Sequence, residues 1–265
     1  MGRPIAMLAA MSNPDEFLAT HGPPRNAEPV SAGDVEAARR RLPDDLLWLW
    51  SQHGTGSYAR GQYWLCHPEA FDGALDALLL NVPDLRGNLA AFGYRSTGQV
   101  DLWHRAGRHF CLLLPFGVID DATSRIETAP VPYDLFETLR QAGVEMTQAE
   151  ADATFRASCM TPANIWMVLF GAVSGDGYLH DIGDDGRSLP TALKRLHGPL
   201  GRGEVYCRKT GPEGFDNLAP SYERVPLPDV LRRLPPTVTL TRSIEGVAFP
   251  EIVSEEFPAG TSLRL

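Results

Sequence analysis

The chain has almost no lysine: Lys194 and Lys209 stand alone among 24 basic residues, and the rest are arginine. With abundant alanine, glycine and proline, that bias marks a GC-rich bacterial genome, which is a statement about codons and not about chemistry. Positive charge is scarce altogether, with 33 acidic residues giving a formal net charge of -9. Binding nucleic acid without regard to sequence needs a basic surface to neutralise phosphates. The longest basic run, Arg39-Arg40-Arg41, sits in a short helical pattern and reads as a solvated face. Direct nucleic-acid binding is therefore not expected, and the acidic balance favours basic partners by steering their encounter.

Paired cysteines are also missing. Cys66, Cys111, Cys159 and Cys207 lie far apart and form no CxxC, which excludes zinc ribbons and thioredoxin-type redox sites. Several sit in apolar strings such as HFCLLL, where a buried free thiol is the ordinary reading. No stretch approaches the roughly 18 uninterrupted apolar residues that a membrane-spanning helix needs. The N-terminal MGRPIAMLAAMSN offers one arginine and a short apolar run with no A-x-A site, so export is not expected and the protein is assigned to the cytoplasm.

Motifs that carry catalysis are absent as well. GxSxG, HExxH and GxxxxGK[ST] do not occur. GTGSYA, from Gly54 to Ala59, loosely matches a dinucleotide fingerprint, but it follows a helix and precedes a strand, the reverse of the required context. His67-Pro68-Glu69 resembles the H-x-E of zinc deaminases without the companion P-C-x-x-C. His104 and His109 straddle a turn and show no third ligand in the sequence. The acidic loop from Asp181 to Gly186 would need an oxygen ligand where Gly183 stands and a glutamate where Ala192 stands to hold calcium as an EF-hand. No catalytic, cofactor-binding or metal-ligating residue is assigned from sequence. A scattered hydrolytic site using His180 with Asp181 or Asp184 is the competing enzymatic reading, because such sites are recognised by geometry.

What the chain does contain is a hydrophobic content of 43% with five tryptophans and eleven phenylalanines, enough to bury a core in 265 residues. Residues 31–41 read as a helix capped by Ser31, with Asp34 three residues on. LPDDLLWLWSQHG reads as a second helix, opened at Pro43, favoured by Asp44 and Asp45 in its first turn and stopped at Gly54. Its apolar residues, Trp50 among them, recur at helical spacing. SYARGQYWL looks like a strand or hairpin, and Pro68 opens a third helix. LAAFGY, QVDLWH and RHFCLLLPFGVI then read as three strands broken by turns. The polar stretch from Asp120 to Pro132 is the candidate boundary. Beyond it YDLFETLRQAG, QAEADATFRA, PANIWMVLFG, LPTALKRLHG and LPDVLRRL carry helix signals, EVYC reads as a short strand, and the tail from Pro235 shows no long periodicity. The fold class is α+β: helices followed by an antiparallel meander in the N-terminal half, and a mixed, mainly helical second half.

From Asp15 to about Trp103 these segments come in a recognisable order: a Leu-Pro pair before a Trp-bearing helix, a Gly-x-Gly-x-Tyr turn, a strand ending near His67-Pro68, and the F-G…L-W strand pair. This block resembles the GAD-like domain. Further on, LPTALKRLHGPLGRGEVY and NLAPSYERVPLPDVLRRL are similar to the L-x-x-L-G-x-L-x-x-x-E-x-Y core and closing helix of a domain associated with type VI secretion immunity proteins. After Tyr206 the sequence departs from that pattern, with CRKTGPEGFDN in place of an apolar stretch. The resemblance implies three parts: a GAD-like domain at 13–120, an immunity-associated domain at 133–234, and an extension at 235–265. It implies a cytoplasmic, non-enzymatic antitoxin whose partner is a cognate effector toxin, often a nuclease, blocked by stoichiometric binding. The loop carboxylates Asp120, Asp121, Asp181, Asp184 and Asp185, with Tyr178, are the expected contacts to a basic toxin. A regulatory or scaffolding module unrelated to toxins is the alternative.

Overall fold

The computed structural model describes residues 13–80, 82–114, 117–123, 136–137, 140–141, 143, 145–153, 165–174, 189–209, 221–232, 239–243 and 252–256. The early helices begin where their residues leave little choice. Asn13 caps α1 (Pro14–His21) by accepting the Glu16 N–H at 2.9 Å, and Pro14 has no N–H to leave unsatisfied. Ser31 caps α2 (Ala32–Ala38) in the same way through the Asp34 N–H at 3.1 Å. That helix is shorter than the expected 31–41. Arg39 leaves it to pair with Glu36 and Asp44, and Arg41 reaches Asp72 at 2.7 Å.

Pro43 precedes α3 (Asp44–His53), and Gly54 ends it with φ of 74°. An added Cβ at Gly54 would lie 2.2 Å from the Glu28 carbonyl oxygen, so the stop also lets the strand β1 (Arg25–Glu28) approach. Strands β2 (Thr55–Tyr58) and β3 (Tyr63–Leu65) form the aromatic hairpin, and α4 (Glu69–Leu78) follows Pro68. The meander is β4 (Leu89–Arg95), β5 (Gln99–His104), β6 (Arg108–Leu113) and β7 (Val118–Asp120). RHFCLLLPFGVI, expected as one strand, is two antiparallel ones, and Gly117 with φ of 61° stands before the second.

Among the described residues the second half includes α5 (Ile165–Ser174), α6 (Leu189–His197), α7 (Leu227–Arg232) and the strands β8 (Glu204–Arg208), β9 (Tyr222–Pro226), β10 (Thr239–Ser243) and β11 (Ile252–Glu256). The tail thus holds two strands where no pattern was visible. Strands of five residues such as TLTRS carry too few apolar positions to show an alternation. β10 pairs in parallel with β7, and the large sheet runs β1-β2-β3-β4-β5-β6-β7-β10-β11, antiparallel elsewhere. β8 and β9 form a separate two-stranded sheet.

The large sheet is covered on both faces, as the period of two along its strands requires. Val100, Leu102, Phe110 and Leu112 point to one face and join Phe71 and Leu75 of α4 with Val205, Val225, Leu227 and Val230. Tyr63, Leu65, Phe92 and Trp103 point to the other and join Phe17, Leu46, Trp50 and Trp166 from α1, α3 and α5. Residues from both halves of the chain share each core. Arg202, before β8, adds a polar tie: it donates to the Thr55 carbonyl at 3.0 Å and the Asn26 carbonyl at 3.1 Å, and pairs with Glu28 at 3.1 Å. The architecture is α+β.

Candidate functional site

Strand register lines up one row of residues across the large sheet. Leu65 pairs with Gly93, Gly93 with Asp101, Asp101 with Cys111, Cys111 with Asp120, and Asp120 with Thr241. Directly paired residues share a face, so this row lies on the α3 and α5 side of the sheet. The apolar core covers its β3–β4 end, and polar groups fill the remainder. His109 joins them from two positions before Cys111 on β6.

The polar groups meet closely. His109 Nε2 lies 3.1 Å from Asp101 Oδ1, and the Cys111 thiol lies 3.3 Å from that same oxygen and 3.6 Å from His109 Nε2. Gln99 places its amide nitrogen 3.3 Å from Asp101 Oδ1 and 3.4 Å from Cys111 Sγ. The Thr123 hydroxyl accepts the His109 backbone N–H at 2.7 Å and holds the start of β6. Asp101, His109 and Cys111 are all buried. Asp101 Oδ2 is buried too.

Burial alone would raise the Asp101 carboxyl. The His109 hydrogen bond and charge, helped by the Arg95 charge, outweigh it and hold the group below the usual carboxylate value. The Cys111 thiol moves the other way: burial and then the Asp101 charge push it well above its ordinary value. Left to these neighbours it is a thiol and not a thiolate, which disables it as a nucleophile. The geometry agrees. In a nucleophilic triad the acid holds one imidazole nitrogen while the nucleophile faces the other. Here Asp101 and Cys111 both meet Nε2 of His109. The cluster is not a Cys-His-Asp triad.

His104 does not join His109. It pairs with Arg108 in the register and faces Phe110 across the opposite side of the sheet. Its Nδ1 accepts the Ala106 N–H at 3.2 Å, while Nε2 lies 3.4 Å from the Asp84 carbonyl. Burial lowers its pKa; the Asp84 contact and the Asp121 charge oppose this, and the Arg105 and Arg108 charges add to it. A histidine with a depressed folded pKa is protonated more readily in the unfolded chain. Stability should therefore fall as pH drops through the unfolded value of about 6.5. His21, also lowered by burial, adds to the slope. Melting between pH 8 and pH 5 should show this decline, and His104→Asn should flatten it. A slope unchanged by that substitution would remove His104 from the account.

Two residues expected at the surface are inside. Asp120 is 1% exposed and Asp121 4% exposed, in place of the loop positions expected for them. Asp120 closes β7 between β6 and β10 and accepts the Thr241 hydroxyl at 2.6 Å, while Asp121 pairs with Arg108 at 2.7 Å. With partners inside the fold, these carboxylates sit in the sheet and not on a loop tip. Tyr178, Asp181, Asp184 and Asp185, like His180, lie outside the described residues. Sequence reading passed over Asp101, Cys111 and Gln99. The usable signal was the alternation Gln99, Asp101 on β5 and His109, Cys111 on β6, polar positions on one face of two adjacent strands.

The sequence pattern of the GAD-like domain matches residues 13–114. This part of the chain is a GAD-like domain. It spans α1 to β6 and so contains Asp101, His109 and Cys111. Among solved structures, the crystal structure of Atu4351 from Agrobacterium tumefaciens is similar in fold, with a TM-score of 0.64 at 17% identity. The match covers 91% of this chain and 96% of that one, so the likeness extends well beyond the GAD-like domain. No curated protein matches the chain. Among the described residues no helix is long and apolar enough to cross a membrane.

Proposed function

We propose that this protein is a cytoplasmic immunity protein. It neutralises a cognate type VI secretion toxin, a basic nuclease, by forming a stoichiometric complex and without catalysis of its own. The observation that carries this reading is the pairing in one chain of a GAD-like domain at 13–114 with the Leu-rich helix, Gly-x-Leu turn and Glu-x-Tyr strand from Leu189 to Tyr206. The turn is a built feature: Glu204 accepts the Gly201 N–H and pairs with Arg224, both at 2.6 Å, and the Tyr206 hydroxyl donates to the Gly198 carbonyl.

A net charge of -9 suits capture of a basic toxin, chiefly by raising the association rate. On α3, Asp44, Asp45 and Trp48 are exposed along one helical face, Trp48 at 38%. Carboxylates beside an accessible tryptophan combine long-range steering with an aromatic anchor of the kind that dominates interface energies. This face joins Tyr178, Asp181, Asp184 and Asp185 as the proposed contact set.

The test is to look for a candidate toxin among the neighbouring gene products and to measure binding of the purified protein to its inactivated form. A nanomolar or tighter complex is expected, burying at least roughly 800 Å² on each partner. Asp44→Lys with Asp45→Lys should slow association severalfold and flatten its salt dependence, and Trp48→Ala should act on dissociation. Absence of a complex would leave the regulatory or scaffolding module as the better reading.

A further inference from the structure

The Asp101, His109 and Cys111 cluster belongs to neither the proposed contact set nor any catalytic arrangement. It sets three polar side chains together beside an apolar core. A carboxylate oxygen, an imidazole nitrogen and a sulfur lie within 4.8 Å of one another, on two neighbouring strands of a rigid sheet.

We infer that Asp101, His109 and Cys111 form a binding site for one divalent transition-metal ion of the zinc class, held within the GAD-like domain and pinning β5 to β6. A tetrahedral zinc with bonds of about 2.0–2.3 Å keeps its oxygen, nitrogen and sulfur ligand atoms about 3.3–3.6 Å from each other. The separations here are 3.1, 3.3 and 3.6 Å, so the three side chains already stand close to the corners of that shell. The register pair Asp101–Cys111 fixes two corners, and the same-face position of His109 fixes the third.

Gln99 is placed for the fourth corner. Its amide end lies 3.3 Å from Asp101 Oδ1 and 3.4 Å from Cys111 Sγ. The two ends of an amide have the same shape, and turning it over presents the carbonyl oxygen in place of the NH₂. Asp101 Oδ2 is buried, and besides His109 the groups that answer its charge are the Tyr63 hydroxyl and the Arg95 guanidinium. A mixed sulfur, nitrogen and oxygen donor set selects zinc-class ions over calcium or magnesium, which prefer oxygen alone. Binding displaces the Cys111 thiol proton, so affinity rises with pH.

The inference does not depend on the immunity reading and is tested without a partner. The full chain is purified without chelator or metal-affinity tag, stripped with a strong zinc chelator, and titrated with zinc while melting is followed. One zinc per chain and an upward shift of roughly 5 °C or more are expected, with calcium inert. Cobalt in place of zinc should give a thiolate-to-metal charge-transfer band that Cys111→Ser abolishes and Cys66→Ser leaves intact. Should Cys111→Ser fail to fold, X-ray absorption on the zinc-loaded wild-type protein decides: one sulfur among nitrogen and oxygen neighbours supports the site. A shell with no sulfur or several overturns it. So would a wild-type chain that takes up no zinc, or a band that survives in Cys111→Ser.

Discussion

Trp50→Ala should lower the free energy of unfolding by about 3–5 kcal/mol, a large part of what holds a domain of this size together. Trp50 is 1% exposed and packs among Leu46, Leu49, Tyr63, Leu65, Ala90 and Trp103 between α3 and the sheet. Its ring also lies 5.2 Å from that of His67. Because its indole N–H has no hydrogen-bond partner, truncation strands no acceptor, and the loss is one of apolar contact and an unfilled cavity. Trp48, two residues away and 38% exposed, supplies the control: its ring meets Trp166 and His53 edge-on, so Trp48→Ala should cost something, but clearly less than Trp50→Ala. Chemical denaturation of the two variants measures both. A Trp50→Ala change no larger than that of Trp48→Ala would mean the buried face of α3 is misassigned.

Gly93→Ala should destabilise the protein by at least about 1–3 kcal/mol, although it adds only one methyl group. A Cβ at this position would lie 2.1 Å from the Tyr63 hydroxyl oxygen and 2.5 Å from the ring carbon bearing it. Tyr63 cannot step aside easily, being wholly buried in the core beneath α3. Burial, with the nearby Asp101 charge, holds its phenol well above the ordinary tyrosine value. The same substitution at Gly73, an exposed position within α4 with nothing nearby to meet, should instead stabilise by roughly 0.5–1 kcal/mol, since glycine is costly inside helices. Opposite signs for one chemical change in one protein would tie the effect to the space over Gly93. A neutral Gly93→Ala would contradict the close packing of Tyr63 on β4.

The helices of the first half were legible because their signals are local. Ser31 with Asp34, Pro43 with the Asp44-Asp45 pair, and Gly54 each act within one turn, and the structure places a cap, a start and a stop at those residues. The meander strands were visible for the same reason, through turn residues such as Gly98 and Gly107, both at positive φ. The tail was not legible: β10 earns its place from the backbone of β7, which no local pattern in TLTRS announces. Asp120 and Asp121 were misread because carboxylates beside a polar stretch look solvated, and their partners, Thr241 and Arg108, become neighbours only through sheet pairing. The cluster on β5 and β6 escaped for a related cause. Its members stand two to twelve residues apart, and their meeting depends on a register that pairs Asp101 with Cys111.

The central claim, that this chain silences a toxin by binding it, is tested most directly in living cells. A candidate toxin gene, sought beside this one, is induced in a sensitive host with and without co-expression of this protein, and finding no such gene would itself count against the reading. Survival should return only when the intact protein is present, and should weaken when Asp44→Lys, Asp45→Lys and Trp48→Ala are combined in a variant that still folds. The toxin should co-purify with the rescuing protein. Undiminished killing in the presence of well-expressed, folded protein would contradict the immunity reading.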